Sequence, residues 1–228
     1  FNGNTAYATP VYDAASGKTV VFYKDQAGSN YGNSRVGTIS GTDISFGTEA
    51  TFAAASTNVI TAVYEPDVQK IVVAFQDAGN SNKGTYCCGT VSGTDISFST
   101  EVVFVDFEIT QIGSVYDATS SRLVFTYKGG SPNNVGIAIA GKLSGTTITF
   151  GTQFTYESGE VGSFQINPAY DPDNGQVVFP YRDDNDSLKG KVCVVTIGYD
   201  NTIRGQVADG DNATVDIVGT VSTNQSGL

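Results

Sequence analysis

A chain of 228 residues that is 39% hydrophobic can bury a sizeable core, and its 27 Gly, with no Met or Trp, favour short strands joined by tight turns. A formal net charge of −11 with only 12 Lys and Arg excludes a nucleic-acid footprint and disfavours an anionic membrane surface. The absence of His excludes Ser-His-acid and Cys-His catalysis and most zinc sites.

No apolar run approaches a membrane helix, and no signal-peptide pattern opens the chain. Phe1 lies 12 residues before Asp13, much as Phe52 and Phe104 lie 13 before Glu65 and Asp117. Phe1 is therefore expected to close an earlier repeat, the chain being a fragment or processed product with more repeats upstream. Residues 5–12 read as a strand ended by the turn Asp13-Ala-Ala-Ser-Gly17. Lys18-Thr-Val-Val-Phe-Tyr23 follows as a strand apolar on both faces, which predicts a place between layers. A polar loop (Asp25 to Gly32) leads to a third strand, Arg35-Val-Gly-Thr-Ile39, turned by Ser40-Gly41. Ile44-Ser-Phe-Gly-Thr-Glu49 alternates strictly, as an outer strand with one wet face would.

The same phrase restarts at Tyr64-Glu65, Tyr116-Asp117 and Tyr170-Asp171, at steps of 52, 52 and 54 residues from Tyr12-Asp13. Its second strand recurs as Lys70-Ile-Val-Val-Ala-Phe75, Arg122-Leu-Val-Phe-Thr-Tyr127 and Gln176-Val-Val-Phe-Pro-Tyr181. Pro180 lacks a ladder donor, which predicts an edge or bulge there. In the last copy Thr196-Ile-Gly and Asn201-Thr-Ile-Arg-Gly205 replace the third- and fourth-strand signatures, so that copy is divergent yet complete. No 3.6-residue apolar stripe competes with this pattern. The expected fold is all-β, a β-propeller of four-stranded blades near residues 5–53, 56–105, 108–157 and 162–208, in this chain or as part of a larger ring. Residues 209–228 read as the start of a C-terminal hairpin module or a segment paired back onto the blades. Cys87, Cys88 and Cys193 read as small buried hydrophobes in strands rather than a disulfide or a metal site.

The text Lys70-Ile-Val-Val-Ala-Phe-Gln-Asp77, Gly89-Thr-Val-Ser-Gly-Thr-Asp-Ile-Ser-Phe98 and Glu101-Val-Val-Phe104, with the tail 208–228, resembles tandem repeats in structural proteins of aquatic tailed phages such as cyanophages. The third copy departs from it at Gly141-Lys-Leu-Ser144, and the fourth loses the Ser-Gly-Thr turn. The resemblance implies a non-enzymatic virion appendage, a tail fibre, spike or head decoration, that forms or displays a host-surface contact. Its implied partners are other virion or filament subunits in a homo-oligomeric assembly and host surface glycans, without nucleic acid or membrane insertion. Two alternatives stay open: a microbial extracellular filament or cell-surface adhesive protein, and a polysaccharide-acting propeller enzyme.

The repeated acids Asp13, Glu65, Asp117 and Asp171 each follow a Tyr and precede a turn, so they are expected to cap turns. A glycan contact is expected on the loop after the second strand, the place where the copies differ most: Asn30, Tyr31, Asn80, Asn82, Asn133 and Asn134. No cofactor is called for. Calcium is the one candidate ion, at the hard oxygens of Asp171, Asp173, Asp183 and Asp186.

Overall fold

A computed structural model describes residues 3–130, 134–162, 166–209 and 216–217. They are strands and turns apart from one 3-10 turn, Ala78–Asn80, and among them no helix is long and apolar enough to cross a membrane. Each repeat is an antiparallel meander, and we number these units 1 to 4.

In unit 1, β1 (Thr5–Asp13) pairs β2 (Lys18–Asp25), and β2 pairs β3 (Tyr31–Ser40). The outer strand differs from the single strand expected over residues 44–49. β4 (Asp43–Phe46) pairs the end of β3, Gly47 to Glu49 leave the ladder, and β5 (Ala50–Glu65) resumes pairing with the start of β3. β5 then crosses into unit 2, where it becomes the innermost strand against β6 (Lys70–Asp77). Unit 2 repeats the plan with β7 (Lys83–Ser92) and β8 (Asp95–Phe98), and β9 (Val102–Asp117) crosses into unit 3. Unit 3 holds β10 (Arg122–Gly129), β11 (Gly136–Ser144), β12 (Thr147–Phe150) and β13 (Phe154–Glu157). Glycine at the gap in the outer strand follows from close packing. A Cβ on Gly47 would lie 2.0 Å from the Thr94 carbonyl oxygen, and one on Gly151 would lie 2.2 Å from that of Asn201, both in the next unit's hairpin.

Unit 4 comprises β14 (Ala169–Asp171), β15 (Gln176–Asp183), β16 (Lys189–Ile197) and β17 (Ile203–Asp209). β14 pairs only Gln176 to Val178, so Pro180 sits where no inner partner needs its missing N–H, as an edge position requires. Of the closing segment, Asp209 ends β17 and β18 (Asp216–Ile217) pairs that strand; its remaining residues, like Phe1, lie outside the described residues.

The core lies between units rather than within them. We call the face of each sheet toward the preceding unit its leading face and the opposite one its trailing face. Alternation along β6 sends Ile71, Val73 and Phe75 toward Val20, Phe22, Val36 and Phe52 of unit 1. Val72 and Ala74 point the other way, toward Leu123, Phe125 and Tyr127 of unit 3. This is why the second strand is apolar on both faces: it is the middle layer of a stack. Phe22, Phe52 and Phe75 meet edge to face at centroid separations of 5.7 and 5.3 Å. Each such ring contributes about 1.5–3 kcal/mol by leaving water. The three cysteines are free and buried in these interfaces. Burial pushes the Cys88 thiol up to about 11 and that of Cys193 up to about 12, so neither is a ready nucleophile.

The repeated acids close the turns at one end of the stack. Asp13 Oδ1 accepts the Ala15 and Ser16 N–H groups at 3.0 and 3.4 Å. Asp117 does the same for Thr119 and Ser120, and Glu65 accepts the Val68 N–H at 2.8 Å. Asp171 accepts from Asp173 and Asn174. These carboxylates are separate structural caps, one per unit.

Candidate functional site

The loop after the second strand places Asn30, Asn82 and Asn134 in equivalent left-handed turns, with φ of 61°, 60° and 47°. Their carbonyls accept the N–H groups of Thr57, Ile109 and Val161, where the chain enters the next unit. The side-chain amides of Asn82 and Asn134 donate to Glu108 and Glu160 at 3.2 and 3.4 Å. These three residues are thus engaged in joining neighbouring units. Tyr31 and Asn80 are exposed at the same end, Asn80 closing the 3-10 turn capped by Asp77. Asn133 lies outside the described residues. Asn30, Asn82 and Asn134 thus recur at equivalent turns, one in each of units 1 to 3.

The four candidate calcium ligands separate into two pairs at opposite ends of β15, roughly 20 Å apart at about 3.3 Å per residue. Asp171 and Asp173 share one tight turn, and Asp183 and Asp186 share another, where lysines face them. Lys191 Nζ stands 2.7 Å from Asp183 and 3.7 Å from Asp186. Among the described residues no group of three or more His, Cys, Asp and Glu is placed to hold a metal.

A different set emerges on the leading face of unit 1. The pairings Tyr23↔Asn33 and Val21↔Arg35 put Tyr23, Asn33 and Arg35 side by side on β2 and β3. Glu49, from the gap in the outer strand, lies over all three. Its Oε2 accepts the Tyr23 hydroxyl, and its Oε1 accepts the Asn33 amide at 3.1 Å. Arg35 Nη2 stands 3.6 Å from Oε2, while Thr51 donates to Asn33 Oδ1 at 2.9 Å. Tyr23 and Asn33 are buried beneath, while the Arg35 and Glu49 side chains remain 31% and 39% exposed. Burial, then the hydrogen bond to Glu49, pushes the Tyr23 hydroxyl up to about 12. Arg35 is held above its ordinary range, chiefly by its hydrogen bond to Tyr23, and its Nε is buried without a partner.

The repeat shows how unusual this is. Where unit 1 has Arg35, the other units have Cys87, Ile139 and Cys193, all buried in inter-unit cores. Where it has Tyr23 and Asn33, they have Phe75 with Thr85, Tyr127 with Ile137 and Tyr181 with Lys191. The signal was present in the sequence as a single charged column in an otherwise small, apolar one.

A guanidinium and a carboxylate at one exposed rim can donate to and accept from neighbouring hydroxyls of one ligand. The cluster contains one acid, whereas glycoside hydrolysis needs two facing each other.

No family model matches the chain, and no curated protein matches it. Among solved structures it is similar to AofleA from Arthrobotrys oligospora, at 10% identity and a TM-score of 0.46. An AofleA triple arginine-to-alanine mutant gives 11% and 0.49. Each comparison covers 94% of this chain, which spans 58% of the AofleA chain. A mutant of Aleuria aurantia lectin (AAL) in complex with alpha-methyl-L-fucoside gives 12% identity and a TM-score of 0.49, over 95% of this chain and 79% of that one.

Proposed function

We propose that this chain is a non-enzymatic carbohydrate-contacting module whose four units are blades of a β-propeller type. The observation that carries this reading is the Tyr23–Asn33–Arg35–Glu49 cluster. It is a polar, partly open constellation built around Arg35, whose column carries the buried Cys87, Ile139 and Cys193 in the other three copies. A buried tyrosine and asparagine fix the Glu49 carboxylate, so the rim is preorganised for hydroxyl groups. The repeated acids support the non-catalytic part, because each is committed to its own turn. We place the module on an extracellular appendage, most simply of a virion. That setting rests on the repeat text alone.

The test is a glycan panel, with alpha-methyl-L-fucoside as its first soluble member, probed with the wild-type chain and with R35A and E49Q. Wild-type protein binds a defined set of glycans without releasing sugar, and both variants lose that binding while keeping the wild-type melting temperature within a few degrees. Sugar release by the wild type would overturn the non-enzymatic reading, and binding unchanged in both variants would overturn the site.

A further inference from the structure

The turn after the innermost strand is built alike in all four units, but in one of them it brings together two residues that can react. Its last residue is left-handed throughout: Gly17, Gln69, Ser121 and Gly175, at φ of 68°, 54°, 54° and 62°. The residue before it leans back on the capping acid. Ser16 and Ser120 donate their hydroxyls to Asp13 and Asp117 at 2.9 and 2.7 Å, and Val68 gives Glu65 only its N–H. In unit 4 this place belongs to Asn174, whose side-chain amide donates to Asp171 Oδ2 at 2.7 Å. Asn174-Gly175 is the one Asn-Gly pair among the described residues.

Three features leave this pair open to reaction with itself. Asn174 is exposed and Gly175 half-buried, so water and hydroxide reach both. The Gly17 N–H donates to the Asp13 carbonyl at 2.9 Å, whereas among the described residues the Gly175 N–H makes no such bond. Gly175 also lacks the Cβ that would crowd a ring closing on its nitrogen. The bond from Asn174 to Asp171 lies at the surface, where water replaces either partner at little cost, so it restrains the amide only weakly.

We infer that Asn174 is a self-modification site, converted without an enzyme to aspartate and isoaspartate by attack from its own chain. Hydroxide takes the proton of the Gly175 nitrogen, and that nitrogen attacks Asn174 Cγ. The new N–C bond forms, the Cγ–Nδ2 bond breaks, and ammonia leaves with a proton from water, closing a succinimide ring. Water then adds to one of the two ring carbonyls and opens it, so that an amide is exchanged for a carboxylate. The product no longer donates to Asp171 and sets a second negative charge against it. At present the Asn174 amide is the chief influence holding the Asp171 carboxyl below its ordinary range. The change falls on a joint between units. Gly175 packs against Thr119 of unit 3, where a Cβ would lie 2.8 Å from Oγ1, and Tyr170 bonds the same hydroxyl at 2.7 Å. β14, only three residues long, is thereby loosened from its neighbour.

The experiment holds the folded wild-type chain at mildly alkaline pH, beside a urea-denatured sample, and locates each converted asparagine by fragmentation mass spectrometry. Asn174 converts ahead of the other described asparagines, none of which precedes a glycine, and gives two products of equal mass that chromatography separates. A folded chain in which Asn174 stays intact, or in which another described asparagine converts before it, overturns the inference, whatever the denatured sample does. N174S restores the serine of units 1 and 3, and it should abolish the conversion while keeping the wild-type melting temperature. N174D supplies one product directly and should melt about 2–4 °C lower, the shift expected for one lost capping bond in a chain of this size. An N174D chain as stable as N174S would overturn the loosening of the joint.

Discussion

The leading faces of units 1 and 2 share the text Asp-Ile-Ser-Phe, yet Ile44 is 45% exposed and Ile96 only 7%. The difference is the neighbour: unit 1 covers Ile96, whereas no described unit covers Ile44. One residue type at one repeat position therefore has two energetic roles, and composition alone does not separate them. The same comparison separates Arg35 from Cys87. An arginine at the covered position would bury a guanidinium among Phe52, Phe75 and Val36, and desolvation would oppose it by several kcal/mol. At the uncovered position it keeps water on one side and Glu49 on the other.

Substitutions sharpen this contrast in order of size. Phe75→Ala removes a fully buried ring from the interface of units 1 and 2, and should cost about 3–5 kcal/mol in chemical denaturation. Ile96→Ala should cost about 2–4 kcal/mol, whereas Ile44→Ala should change stability by less than about 1 kcal/mol in monomeric protein. Equal losses at the two isoleucines would break the comparison. Asp117→Ala leaves the Thr119 and Ser120 N–H groups without their cap and should cost about 1–3 kcal/mol. The half-buried counterpart Asp171→Ala should lower the melting temperature less.

A pH titration adds a smaller, signed effect. Tyr23 holds its proton up to about pH 12 in the folded chain, above the ordinary tyrosine range near 10. Its contribution is fully present below pH 10 and is lost as pH rises from there toward 12, because the unfolded chain ionises first. Y23F should therefore lose less stability than wild type across that window, as read by denaturation at successive alkaline pH values. Smallest of all, Lys142→Ala breaks a half-exposed ion pair with Asp67 and should shift stability by under about 1 kcal/mol.

The repeat made the architecture legible from sequence. Two-sided apolar strands such as Ile71 to Phe75 required layers above and below, and Asp13 with its equivalents announced the turns that they cap. What stayed hidden were the features set by geometry between units. Gly47 to Glu49 read as the end of a strand, but the approach of the next unit's Thr94 carbonyl interrupts it there. Asn82 and Asn134 read as free loop donors, but a residue in a left-handed turn beside a crossing strand finds its partners in that strand. Arg35 was legible only by reading the third strand column by column across all four copies.

The most direct measurement is isothermal titration of the glycans that bind the wild-type chain against wild type and R35A in parallel. Saturable binding by wild type, with at least about tenfold weaker binding by a folded R35A chain, is the predicted result. Equal affinity in the two proteins would contradict a carbohydrate site on the leading face of unit 1.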